Sequence, residues 1–198
     1  MLEQEATLCQ YWEFSKEMEK ILQENGEVRL PININSIAQK LGFDIIVMDE
    51  ISDRCYGYLS QKEILVSGKL SYKEKRWTIA KAIALQYLGK SGMIPITNPF
   101  FVACDINAFT ADSFTLLILL PVSLFKKELS EYKSKVQEFD GNKYLEHLCN
   151  CSQIPIFHLS MGYHIINQML CFQRQKAFEK VGYDITKFQK DEFENIYF

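Results

Sequence analysis

Few residues in this chain are both chemically competent and suggestively spaced. His147, Cys149 and Cys151 fall within five residues, with His158 a little further on. Imidazole and thiolate are the ligands that zinc prefers. The single-residue gap between Cys149 and Cys151 is not the two-to-four-residue gap of common zinc knuckles, however, and all of these residues fit an amphipathic helix equally well. The second candidate is Lys81, inside the largely apolar run from Arg76 to Gly89. A desolvated lysine can act as a base or a nucleophile, with Asp105, Asp112 or Ser113 as possible neighbours. The alternative is structural: Lys81 pairs with a carboxylate or extends its head into solvent. Nothing else in the chain completes a triad-like constellation, which favours the structural role. The specific expectation is an ion pair between Lys81 and Asp112 or Asp105.

These residues must be positioned by a mixed set of elements. Leu8, Tyr11, Trp12, Met18, Ile21 and Leu22 recur at helical spacing from Glu3 to about Asn25, and Gly26 ends that run. Tyr11, Trp12 and Phe14 could form a partner surface, but packing of this first helix on the rest is the simpler reading. Asn33 caps a short helix that stops at Gly42. Phe43–Met48, Cys55–Leu59 and Glu63–Ser67 are rich in β-formers and predict about three strands in a small antiparallel sheet, the last two joined through Ser60-Gln61-Lys62. Ser71 followed by Glu74 is a capping box that starts the helix carrying Lys81. Trp77, Ala80, Ala84, Tyr87 and Leu88 form its core-facing stripe.

Gly92, Pro95 and Pro99 predict a loop over Ser91–Phe101. Helical spacing returns over Asp105–Leu120, Ser123–Phe139, Lys143–Cys151 and Ser160 to about Lys180, with Pro121 and Pro155 as interruptions. The order argues for one α+β domain over residues 1–180, a small sheet packed on a mostly helical body. Residues 181–198 form a tail whose aromatic residues predict docking, with part of it flexible.

A chain of 198 residues can bury one substantial core, and a net charge of -3 gives no nucleic-acid footprint. The run Phe114–Leu120 is too short to span a bilayer. The acidic start lacks a signal-type apolar core and the six cysteines are scattered, so the expectation is a cytoplasmic protein with free thiols and no membrane partner.

Several blocks together resemble the ImmA/IrrE family of metallopeptidase-like proteins. Pro31-Ile32-Asn33-Ile34-Asn35-Ser36-Ile37-Ala38-Gln39-Lys40-Leu41-Gly42 is similar to the family's opening P-v-d-i-x-x-I-A-x-x-L-G. Gly57-Tyr58-Leu59 and Ile64-Leu65-Val66-Ser67 are similar to its two following strands. Arg76-Trp77-Thr78-Ile79-Ala80 resembles the segment that leads into H-E-x-x-H. Ala111-Asp112-Ser113-Phe114, running on to Leu119-Leu120-Pro121, resembles its A-N/D-x-F block, and Phe157-His158-Leu159-Ser160 resembles its F-x-V-S segment. The resemblance covers roughly Glu3 to Phe172 and implies a zincin-like fold.

It also shows what has been lost. H-E-x-x-H holds zinc with two imidazoles one helical turn apart and uses the Glu as general base. Lys81 stands at the first His, Ala82 at the Glu and Leu85 at the second His. The family's third ligand, a Glu just before the A-N/D pair, falls near Asn107, Ala108 and Thr110, none of them a carboxylate; Asp105 is displaced from the pattern. The resemblance therefore implies a metallopeptidase-like protein without its metal or any cofactor: a regulator that grips a protein or peptide, such as the repressor of a phage or mobile element, in an open groove beside Lys81. An active hydrolase with a rebuilt metal or Lys-based site is the first alternative. A structural or interaction module of a mobile element is the second. Met161–Leu170 contains no Arg or Lys, which argues against a DNA-reading helix there.

Overall fold

The fold is built on one buried helix, and its sequence explains why. In the computed structural model, which describes residues 2–26, 29–90, 92–97 and 106–180, helix α3 spans Tyr72–Tyr87. Both halves of the capping box form: the Ser71 hydroxyl accepts from the Glu74 amide, and the Glu74 carboxylate accepts from the Ser71 amide. Every residue from Arg76 to Ala84 is buried. A helix enclosed on all sides needs small residues where neighbours approach closely, and Ala80, Ala82 and Ala84 supply them.

One side of α3 lies on a sheet formed by β1 (Asp44–Met48), β2 (Cys55–Ser60), β3 (Glu63–Ser67) and β4 (Met93–Thr97). A Cβ at Gly57 of β2 would collide with the Leu65 carbonyl oxygen and lie 3.0 Å from the Thr78 methyl of α3. The missing side chain therefore lets helix and sheet come together.

The sheet corrects two expectations. Its order is β1-β3-β2-β4, with four strands rather than about three, and β1 pairs parallel to β3, so the sheet is mixed. The β2–β3 hairpin is antiparallel as predicted. The additional strand β4 lies inside the segment read as a loop and pairs antiparallel with β2, placing Pro95 opposite Tyr58. An edge strand tolerates proline because only one side must complete the ladder.

Around this centre lie α1 (Leu2–Glu24), α2 (Ile34–Lys40), α4 (Ile106–Leu119), α5 (Val122–Lys135), α6 (Gly141–Ser152) and α7 (Ile156–Lys180). Asn33 caps α2 through the Ser36 amide, and Asp140 caps α6 through the Asn142 and Lys143 amides. In α4, Phe114 and Leu116 through Leu119 are buried, which marks a central helix. Helix α1 docks through Tyr11 and Phe14: Phe14 stands edge-on to Phe114 at 4.3 Å and to Tyr87 at 4.5 Å between ring centroids. Packing, not a partner, accounts for Tyr11 and Phe14. The α3 stripe is core at Trp77, Ala80 and Ala84, whereas Tyr87 is 46% exposed and gives its hydroxyl to Glu17.

Arg76 ties three elements together. Its guanidinium is buried and donates to the carbonyls of Ile32 and Ser152 at 2.6 and 3.3 Å. The architecture is thus α+β, mostly helical, with a mixed four-stranded sheet. No helix among the described residues is long and apolar enough to cross a membrane. The tail 181–198 lies outside the described residues.

Candidate functional site

Helices α3 and α4 meet where Lys81 and Asp112 face each other. Lys81 Nζ lies 2.7 Å from Asp112 Oδ1, the pairing predicted from the sequence. The lysine side chain is 11% exposed and the aspartate 33%, so the pair reaches solvent mainly through the carboxylate. Oδ1 itself is sealed from water and faces the Lys81 ammonium. Burial pushes the Asp112 carboxyl above its usual range, and the Lys81 ammonium pulls it back only in part.

The remaining walls of this seam were not legible as a site. His158 of α7 is buried and stacks on Trp77 of α3, with ring centroids 4.0 Å apart and planes 8° from parallel. Burial, and then the Lys81 charge, push its imidazole down to about 3; Glu74 opposes them. His158 is therefore a neutral, packed ring at neutral pH. Burial tends to raise the Glu74 carboxyl, but hydrogen bonds from Ser71 and Tyr56 outweigh it and leave that group below its usual range. The Tyr56 hydroxyl donates to Glu74 at 3.2 Å, and burial and that carboxylate push the phenol up to about 12.

The positions that the sequence resemblance aligns with H-E-x-x-H are closed. Ala82 is fully buried and Leu85 packs against the core. Thr110 lies on α4, and Ser113 is buried there. Asp105 and Cys104 lie outside the described residues, and only the helical backbone of Asn107 and Ala108 is described. Chemically, the seam offers, among the described residues, a charge pair, a neutral ring and no exposed nucleophile. Three concave surfaces lie among the described residues. One of about 580 Å³ is lined by Lys126, Lys133, Leu170 and Arg174. One of about 310 Å³ lies between Phe14, Gln61 and Gln86. A third, of about 140 Å³, is lined by Val47, Val66, Tyr72 and Ile79. Lys81 lines none of these three.

The other sequence candidate is divided by the fold. His147 and Cys151, one turn apart on α6, share a face and meet Glu128 of α5. Cys149 turns away, its thiol directed at the Ile154 carbonyl, and the Lys73 ammonium lies 3.1 Å from its sulfur. His158 belongs to the seam instead. Glu128 carries no local signal, because only helix pairing brings it within reach.

No protein-family model matches the chain, and no curated protein matches its sequence. Among solved structures it is similar to a Mycobacterium tuberculosis transcriptional regulator, with a TM-score of 0.50 and 13% identity over 75% of this chain. The chain spans 45% of that protein's length. At this identity the likeness is one of fold.

Proposed function

We propose that this chain is a metallopeptidase-like protein of ImmA/IrrE type that acts by binding a protein partner, such as a repressor or a peptide segment of one, and not by cleaving it. The observation that carries this reading is the Lys81–Asp112 ion pair, since Lys81 stands where the resemblance puts the first zinc-binding imidazole. An ammonium there cannot ligate while charged and repels a divalent cation. A fold shared with a transcriptional regulator is compatible with work in such a circuit.

The sheet supplies a place to bind. Strand β1 ends the sheet order, and its Ile46, Val47 and Met48 are 40%, 58% and 39% exposed. Backbone groups along such an edge can pair with an added strand, and side-chain pockets then select the sequence. The concavity of about 140 Å³ beside Val47, walled by Val66, Tyr72 and Ile79, would take one apolar side chain of the incoming segment. Linkage to a phage or mobile element, and a partner encoded close by, are part of this proposal.

The test is to mix the purified chain with the repressor encoded beside it and to follow both by gel filtration and intact mass. The expected outcome is co-elution with both chains uncut. Val47→Glu weakens the complex, and Lys81→Met leaves it unchanged. Cleavage of the repressor, or separate elution, would overturn the reading. Self-association of the chain in place of the complex would favour the interaction-module alternative.

A further inference from the structure

Apart from the α3–α4 seam, one cluster gathers groups of three different ligand chemistries. His147 and Cys151 are four residues apart on α6, so one helical turn stacks them on a common face. Glu128 approaches from α5, and its Oε2 lies 3.2 Å from His147 Nε2. The carboxylate oxygen, ring nitrogen and sulfur all lie within 4.8 Å of one another. Two ligands each about 2.0–2.1 Å from a tetrahedral zinc stand roughly 3.3 Å apart, so the Glu128–His147 separation already matches a shared ion. Zinc-to-sulfur bonding near 2.3 Å sets the sulfur roughly 3.6 Å from the other two ligand atoms, inside that 4.8 Å limit.

A second observation concerns Tyr144. Its hydroxyl is buried and has no hydrogen-bond partner among the described residues. Burial and the nearby Tyr163, Cys151 and Glu128 all push that phenol up, which places it beside the same cluster. Buried hydroxyls are rarely left unpaired without reason. A ligand carboxylate drawn onto an ion, or a water bound to that ion, would give this hydroxyl an acceptor. Tyr132 packs on the His147 ring at 5.0 Å between centroids and limits its orientation.

We infer that Glu128, His147 and Cys151 form a binding site for one zinc-like divalent cation, with Tyr144 supporting it from behind. Three protein ligands between α5 and α6 would leave the fourth position of a tetrahedral ion to water. The inference is independent of the reading of Lys81, which lies on different helices.

The probe is cobalt(II) titrated into the full chain after chelator treatment and desalting. The expected result is one equivalent bound, with a thiolate-to-cobalt charge-transfer band that zinc abolishes. Cys151→Ser removes the band, whereas Cys149→Ser keeps it. Glu128→Gln and His147→Gln each weaken binding by at least about tenfold, and circular dichroism establishes that each variant is folded. If Cys151→Ser does not fold, the other two substitutions decide the matter. Absence of a one-equivalent band, a band that survives Cys151→Ser, or unchanged affinity in Glu128→Gln and His147→Gln would overturn the inference.

Discussion

Lys81 and Asp112 compensate each other in a place where neither would be stable alone. Removing one partner of such a pair leaves the other charge poorly solvated, and that penalty exceeds the net worth of the pair. Because Asp112 is one-third exposed, water softens the loss. Asp112→Ala is expected to destabilise the fold by about 1–3 kcal/mol. Lys81→Met combined with Asp112→Leu should cost less than the sum of the single changes, as urea midpoints of all four proteins would show. Additive losses would mean that the contact contributes nothing. His158 makes a prediction about pH. Its folded imidazole titrates near 3 against 6.5 for the free group. Between those values the unfolded chain binds the extra proton, so stability falls as pH drops from about 6.5 toward about 3. Glu74, lowered in the fold, acts in the same direction; Asp112, raised, acts in the opposite one. His158→Phe preserves an aromatic ring on Trp77 and should flatten this dependence, measured by denaturant unfolding at pH 7 and pH 4. At this scale the sequence pointed to Lys81 and to the carboxylate that could answer it. It could not show His158 or Glu128, whose places depend on how distant helices pack.

Caps and glycines decide the elements. Ser71→Ala removes one half of the α3 capping box and should cost about 1 kcal/mol in chemical denaturation, while leaving α3 in place. Gly57→Ala puts a methyl against the Leu65 carbonyl and Thr78, and should cost about 1–3 kcal/mol. The helices were legible because helical periodicity and caps are local: Asn33, Ser71 and Gly26 bracket elements close to the predicted bounds. Strand β4 was not, because Gly92 and Pro95 are loop signals and an edge strand can accept both. The parallel pairing of β1 with β3 was hidden for a different reason. Strand direction depends on the path between strands, and no residue within Asp44–Met48 encodes it.

At the scale of the whole molecule, α3 and α4 form a largely buried centre against which the first and last helices close. Phe14 joins α1 to both of them, and Phe14→Ala should cost about 3–5 kcal/mol by thermal or urea unfolding. The surface left over has an open strand edge at β1 and a cation-compatible cluster on α5 and α6, each well removed in sequence from Lys81. Separating these regions gives the most direct test of the central claim, that an ion pair occupies the place of a metal centre. The measurement is transition-metal content by elemental analysis of the purified chain, the Cys151→Ser variant and the Lys81→Ala variant, each supplied with zinc. The account predicts that Cys151→Ser carries no stoichiometric metal and that Lys81→Ala matches the parent chain. One equivalent of zinc retained in Cys151→Ser, or a zinc content in Lys81→Ala that departs from that of the parent chain, would contradict it.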